Sequence, residues 1–241
     1  MRSQHPSLGG AGGDSLFAIN RDIFLRTLCL VAVNLYFTAA GARQGAVILS
    51  VNTVILQLYL LFSYFMDGFA YAGEALGGRF YGARDAKAFS ETLHHLFYWA
   101  AGVTAVYTVV YVIGGMWIVS LLTDEQPVVN AARDYIFWAW LIPVAGAAAF
   151  IWDGVFIGLT ATRGMLVSSA VSALLFFAIF TLGDRWWVIG DGGYSQLTNH
   201  FLWLAQIVYL AMRGILQTAW YLQMERRQQI LHSSLFTHHF P

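Results

Sequence analysis

The chain has 241 residues, of which 58% are hydrophobic, 16% aromatic and only 11% charged, with a formal net charge of zero. Average soluble domains carry roughly 25% charged residues, so the composition excludes an ordinary soluble globule and points to lipid as the solvent. The neutral balance gives a nucleic acid no electrostatic reason to bind, and the lone Cys29 excludes an internal disulfide and a cysteine-based metal site.

In chain order, Met1 to Gly13 is polar and glycine-rich and has no apolar run before a small-residue cleavage site, so no secretory leader is expected there. Gly9-Gly-Ala-Gly-Gly13 lacks the preceding strand that a phosphate-binding loop requires. Residues 1–19 are expected to form a linker, 20–228 a six-helix transmembrane lobe and 229–241 a cytoplasmic tail. A hydrocarbon core about 30 Å thick is crossed by about 20 apolar helical residues. Six blocks satisfy this: Ile23–Ala40, Val47–Ala72, Thr92–Leu122, Val128–Leu159, Met165–Leu182 and Leu197–Met224. The fold expected is therefore all-α, a polytopic membrane protein with six transmembrane helices. Short Gly-, Pro- and charge-containing breaks separate the blocks, so consecutive helices are expected to be antiparallel neighbours.

A cytoplasmic amino terminus puts Arg2, Arg21, Arg79, Arg84, Lys87, Arg163, Arg226 and Arg227 on one side and only Arg43, Arg133 and Arg185 on the other. That excess predicts both termini inside a cell (inner or plasma) membrane. Arg185-Trp-Trp-Val-Ile189 has the look of an interfacial aromatic belt. Pro143 predicts a loosened or kinked fourth helix. Gly154-Val-Phe-Ile-Gly158 and Gly73-Glu-Ala-Leu-Gly77 offer close helix contacts.

Charges inside these blocks need an explanation, because lipid tolerates them only beside a partner or a cavity. Asp67, Asp153 and Arg213 lie 12, 10 and 13 residues before Arg79, Arg163 and Arg226, depths of about 15–20 Å at the rise of an α-helix. Arg26 lies closer to the inner surface. A common mid-membrane layer follows, in which Arg213 or Arg26 is the charge partner of Asp67 and Asp153. Such pairs either fix helix packing or exchange a proton or sodium ion. Glu74, two turns beyond Asp67, is either an exit-path carboxylate or an ordinary helix-end acid. Asn34, Asn52, Gln57, Gln206 and Gln217 extend the polar interior. Tyr64, Phe65, Tyr71, Trp138, Trp140 and Trp152 are candidates for an aromatic wall facing an organic cation.

Enzyme signatures do not occur: there is no Gly-x-Ser-x-Gly elbow, His-Glu-x-x-His helix or Walker loop. The adjacent pairs His94-His95 and His238-His239 point in different directions on a helix, so no metal or other cofactor is expected.

Three segments carry a family resemblance: Asn20-Arg-Asp-Ile-Phe-Leu-Arg-Thr-Leu-Cys-Leu30, Ser63-Tyr-Phe-Met-Asp-Gly-Phe-Ala-Tyr-Ala-Gly-Glu74 and Phe150-Ile-Trp-Asp-Gly-Val-Phe-Ile-Gly158. Over about Asn20 to Gln228 the chain resembles the carboxy-terminal half of multidrug and toxic compound extrusion (MATE) transporters of the DinF-like branch. The resemblance implies one six-helix lobe of a twelve-helix antiporter, with a cavity between lobes, coupled to H+ or Na+ and exporting organic cations, drugs or other amphipathic compounds. It implies a coupling role for Asp153, in the tenth-helix position, and makes Asp67-Gly68 a marker of the branch. The acid that some relatives carry in the seventh helix is not matched, Arg26 standing nearby, so sodium coordination as in those relatives is not expected. An amino-terminal six-helix lobe, or a second copy, is the expected partner, and the chain alone is not expected to complete a transport cycle. A lipid-linked oligosaccharide flippase is the nearest alternative, although two arginines against two or three acids do not supply the strongly cationic cavity it needs. Outside transport, the alternative is an assembly subunit or remnant whose charges only hold helices together.

Overall fold

The computed structural model describes residues 11–187 and 196–237, with side chains for 16–183 and 197–226. The described residues form six helices: α1 (Ala11–Arg43), α2 (Ala46–Gly82), α3 (Ala86–Leu122), α4 (Gln126–Gly158), α5 (Thr162–Trp187) and α6 (Gln196–Thr237). All six are long and apolar enough to cross a membrane. Several outrun their hydropathy blocks, because hydropathy reads only the part in lipid. Helix α3 gains its first polar turn from Asp85, whose side chain accepts from the Ala88 N–H at 3.0 Å. Helix α1 starts at Ala11, inside the stretch read as linker, and α6 runs to Thr237, inside the stretch read as tail. Helix α4 passes through Pro143 without a break. The proposed aromatic belt at Arg185–Ile189 and the His238-His239 pair lie outside the described side chains.

Helix α4 occupies the centre. Its most apolar window is 61% buried, against 17% in α1 and α3, and it packs on α2, α3 and α6. The tightest seam joins α2 to α4. A Cβ on Gly154 would come within 1.9 Å of the Ala70 carbonyl oxygen, and one on Gly158 within 2.4 Å of the Glu74 oxygen. The two backbones therefore touch along a parallel pair, the close approach that small residues permit in a membrane. The expected contact at Gly154 and Gly158 forms, but its facing row is Ala70, Glu74 and Gly78. Gly73 faces Val155 and Leu96, and Gly77 faces Phe89 of α3.

Consecutive helices are thus not always the main neighbours. Helices α5 and α6 pair antiparallel, with Gly164 against Trp220 and Gly183 against Phe201, whereas α1–α2 and α4–α5 touch only slightly. Glycine faces, not loop length, select the partners. On the outside, α3 presents Val106, Val109, Val110, Ile113 and Trp117, all exposed. That spacing is one helical face, apolar enough to face lipid.

Candidate functional site

Asp153 and Gly154 are adjacent on α4 and so point about 100° apart. Gly154 meets α2, which turns Asp153 toward α1 and α6. There the carboxylate, in a residue only 8% exposed, is gripped from two helices. The Nη2 groups of Arg26 on α1 and of Arg213 on α6 both donate to Oδ2. Gln217, one turn beyond Arg213, donates from Nε2 to Oδ1 at 2.7 Å. Arg213 also lies 5.5 Å from the Tyr209 ring centroid, a cation–π contact. Both arginines offered as partners thus converge on one carboxylate. Burial of an isolated charge here would be prohibitive, and the ion pairs with the third donor offset that cost.

Asp67 is placed differently. It is half-buried on α2. Since Ala70 sits against Gly154, it lies within about one helical turn of the height of Asp153. It is within electrostatic range of Asp153 and Arg26, yet its carboxyl makes no hydrogen bond or ion pair among the described residues. Formally, Arg26 and Arg213 are balanced only when Asp67 is counted with Asp153. Tyr59 lies within electrostatic range of all four.

Glu74 is partly buried at the α2–α4 seam, where its backbone oxygen is covered by Gly158. Asn52 is fully interior: it exchanges hydrogen bonds of 2.8 and 3.0 Å with Asn199 and accepts from the Trp203 indole at 2.8 Å. Trp152, 4% exposed, donates to Thr218 at 2.8 Å and packs on Tyr221, 4.8 Å away. Asn34, Gln57 and Tyr64 open outward on α1 and α2. The six aromatics considered as one wall do not meet: Tyr64, Phe65 and Tyr71 are on the outside of α2, whereas Trp138 and Trp152 are inside α4 and Trp140 is half-buried on α4 beside Gly115 of α3. His95 turns back onto its own helix, its Nδ1 lying 2.7 Å from the Glu91 oxygen.

Two polar groups escaped the sequence reading. Asp22, 2% exposed, accepts from Arg21 at 3.0 Å and from the Thr162 hydroxyl at 3.3 Å, tying α1 to the start of α5. It sits in a charged triplet that resembles a solvated helix end, so only its partner on α5 betrays it. Asn199 and His200, at the opposite end, lie against Asn52 and against Tyr135 and Trp138. Their position just inside the last block was the available signal.

Comparison with known proteins fits this architecture. The MatE family model matches residues 23–182, more than half of the chain. DNA damage-inducible protein F of Escherichia coli (strain K12) is 38% identical over 200 residues, which cover 83% of this chain and 41% of that protein. The chain therefore spans about half the length of that relative, and the matched stretch 41% of it. The family consists of membrane transporters and not enzymes. With six membrane-crossing helices and a match over most of them, the chain is a multi-pass membrane protein that belongs to the MatE family.

Proposed function

We propose that this chain is the carboxy-terminal lobe of a proton- or sodium-coupled antiporter that exports organic cations or other amphipathic small molecules. It would lie in the cell's inner or plasma membrane with both termini in the cytoplasm. The observation that carries the reading is the four-charge cluster of Arg26, Arg213, Asp153 and Asp67 inside the apolar bundle. In it, one carboxylate is held by two guanidiniums while a second has no hydrogen-bond partner among the described residues.

Asp153 and Asp67 then divide the work. A cation reaching Asp153 must displace a guanidinium, whereas one reaching Asp67 need not. Arg26 is the mobile member, being on the peripheral helix α1 and the more exposed of the two arginines, 19% against 3% for the side chain. A proton, a sodium ion and an organic ammonium compete with one another for the negative charge of Asp67. Ion and substrate therefore exclude one another, which is the requirement for antiport. Glu74, nearer the termini on the same helix, is the candidate exit-path acid.

Asn34, Gln57 and Tyr64 are polar or amphipathic, yet exposed at membrane depth. They favour a partner over lipid on the α1–α2 face, either an amino-terminal six-helix lobe or a second copy. The test is reconstitution of the chain with such a lobe in vesicles. Asp67→Asn and Asp153→Asn should each abolish substrate-dependent proton or sodium flux. Undiminished flux in both variants would remove these acids from the mechanism.

A further inference from the structure

One face of α6 carries Gln206, Tyr209, Arg213 and Gln217 at steps of three, four and four residues. The first three are 2% exposed and Gln217 is fully buried. Each keeps one polar atom that no group among the described residues satisfies: Oε1 of Gln206, the Tyr209 hydroxyl, Nε of Arg213 and Oε1 of Gln217. The Tyr209 hydroxyl is near the Arg213 guanidinium but not in hydrogen-bond geometry with it. On α5, the register set by Gly164 against Trp220 and Gly183 against Phe201 brings Ser169 level with Arg213 to Gln217. Ser169 is fully buried and its hydroxyl is likewise unsatisfied.

A buried polar atom without a partner costs about 1–3 kcal/mol, and native proteins satisfy such atoms with protein groups or ordered water. Unsatisfied atoms in succession on one face, over about 16 Å of helix, are not the mark of a dry seam. Their order also selects the ligand. Gln206 and Gln217 offer acceptors, Arg213 a donor, and Tyr209 and Ser169 either. An anion finds nothing at the glutamine oxygens, and a metal cation is repelled by the guanidinium. Only a small molecule that both donates and accepts fits every position.

We propose that a file of buried water molecules runs along this face of α6, from the level of Gln206 to the Asp153 cluster. The Asn52–Asn199–Trp203 network closes its upper end, because those amides and the indole bond one another. The file hydrates Arg213 and Asp153 from within the lobe. When Arg26 leaves Asp153, water takes its place at the carboxylate, so pair exchange costs less. The role in pair exchange rests on the antiport reading above; the water file does not.

The test is radiolytic hydroxyl-radical labelling of the whole chain in lipid nanodiscs containing H2(18)O, with labelled sites read by mass spectrometry. Tyr111 is the internal control: it is fully buried and its hydroxyl donates to the Leu58 oxygen at 2.6 Å. Tyr209 should take up label several-fold faster than Tyr111, although both are buried. Gln206→Leu, which removes one acceptor next to Tyr209, should bring the Tyr209 rate down toward that of Tyr111. Equal rates for Tyr209 and Tyr111 in the unaltered chain would overturn the proposal, whether or not the variant folds. Labelling requires no transport, so its outcome is separate from that of the Asp67→Asn and Asp153→Asn flux measurements.

Discussion

Replacing Asp153 by Asn is the sharpest probe of the central cluster, because the two arginines predict unequal consequences. Asn retains the shape and one acceptor but removes the charge that both guanidiniums contact. Arg213, 2% exposed, is then a buried cation without a counter-ion, a defect worth about 3–5 kcal/mol. At about 2–4 °C per kcal/mol for a chain of this size, the unfolding midpoint should fall by about 6–20 °C. Arg26→Gln is different: it leaves the Arg213–Asp153–Gln217 arrangement whole, now with one cation to one anion. Its loss should be that of one charged hydrogen bond at a partly exposed side chain, about 1–2 kcal/mol. The decisive arm is the double variant Asp153→Asn with Arg213→Gln, which removes both buried charges. It should be more stable than Asp153→Asn alone, with a coupling of about 1–3 kcal/mol. The assay is reversible unfolding of the purified chain in mild detergent. If Asp153→Asn unfolds within a degree or two of Arg26→Gln, or if adding Arg213→Gln deepens the loss, the charge accounting is wrong.

Three further outcomes follow from the packing. Gly154→Ala puts a Cβ 1.9 Å from the Ala70 oxygen and must separate α2 from α4, so it should cost more than about 3 kcal/mol; Gly68→Ala, which meets nothing within 4 Å, should be neutral or stabilise by up to about 1 kcal/mol, and thermal unfolding of the two separates seam from surface. Asn52→Leu strips partners from the Asn199 amide and the Trp203 indole, so a loss of about 2–4 kcal/mol is expected, with a change in the Trp203 indole N–H resonance that Thr53→Val, on the exposed side, does not produce. Tyr111→Phe deletes the hydroxyl that donates to the Leu58 oxygen and should lower stability by about 1 kcal/mol in the same unfolding assay, without altering labelling at Tyr209.

The six spans were legible because lipid imposes a length and a composition that a one-dimensional window can read. Partner choice was not, since it depends on rotation about the helix axis. Gly73/Gly77 and Glu74/Gly78 are neighbouring rows on α2, about 100° apart, and only the second faces Gly158. A spacing pattern names both rows equally. Depth counting likewise brought Asp67, Asp153 and Arg213 to one layer, but layers carry no azimuth. That Arg26 and Arg213 share Asp153, leaving Asp67 to one side, comes from α4 having its glycine edge against α2. Asp22 and Asn199 were lost for a related reason: each stands at the end of an apolar block, where a polar residue is unremarkable until a distant helix supplies its partner.

The glycine seam also bears on how the charges can act. Because α2 and α4 touch backbone to backbone, Asp67 and Asp153 are carried by a rigid pair, and neither can approach the other without breaking the Ala70–Gly154 contact. Helix α1 packs mainly on α5, touches α2 only slightly and has a window 17% buried, so on the antiport reading the guanidinium of Arg26 is the charge assigned to move. On the antiport reading, a cation at Asp67 leaves the quartet with one excess positive charge, and the nearest relief is for Arg26 to withdraw with α1. Loss of that cation draws it back. The acids are then the fixed reference, and the coupling ion acts by deciding where the arginine of α1 stands.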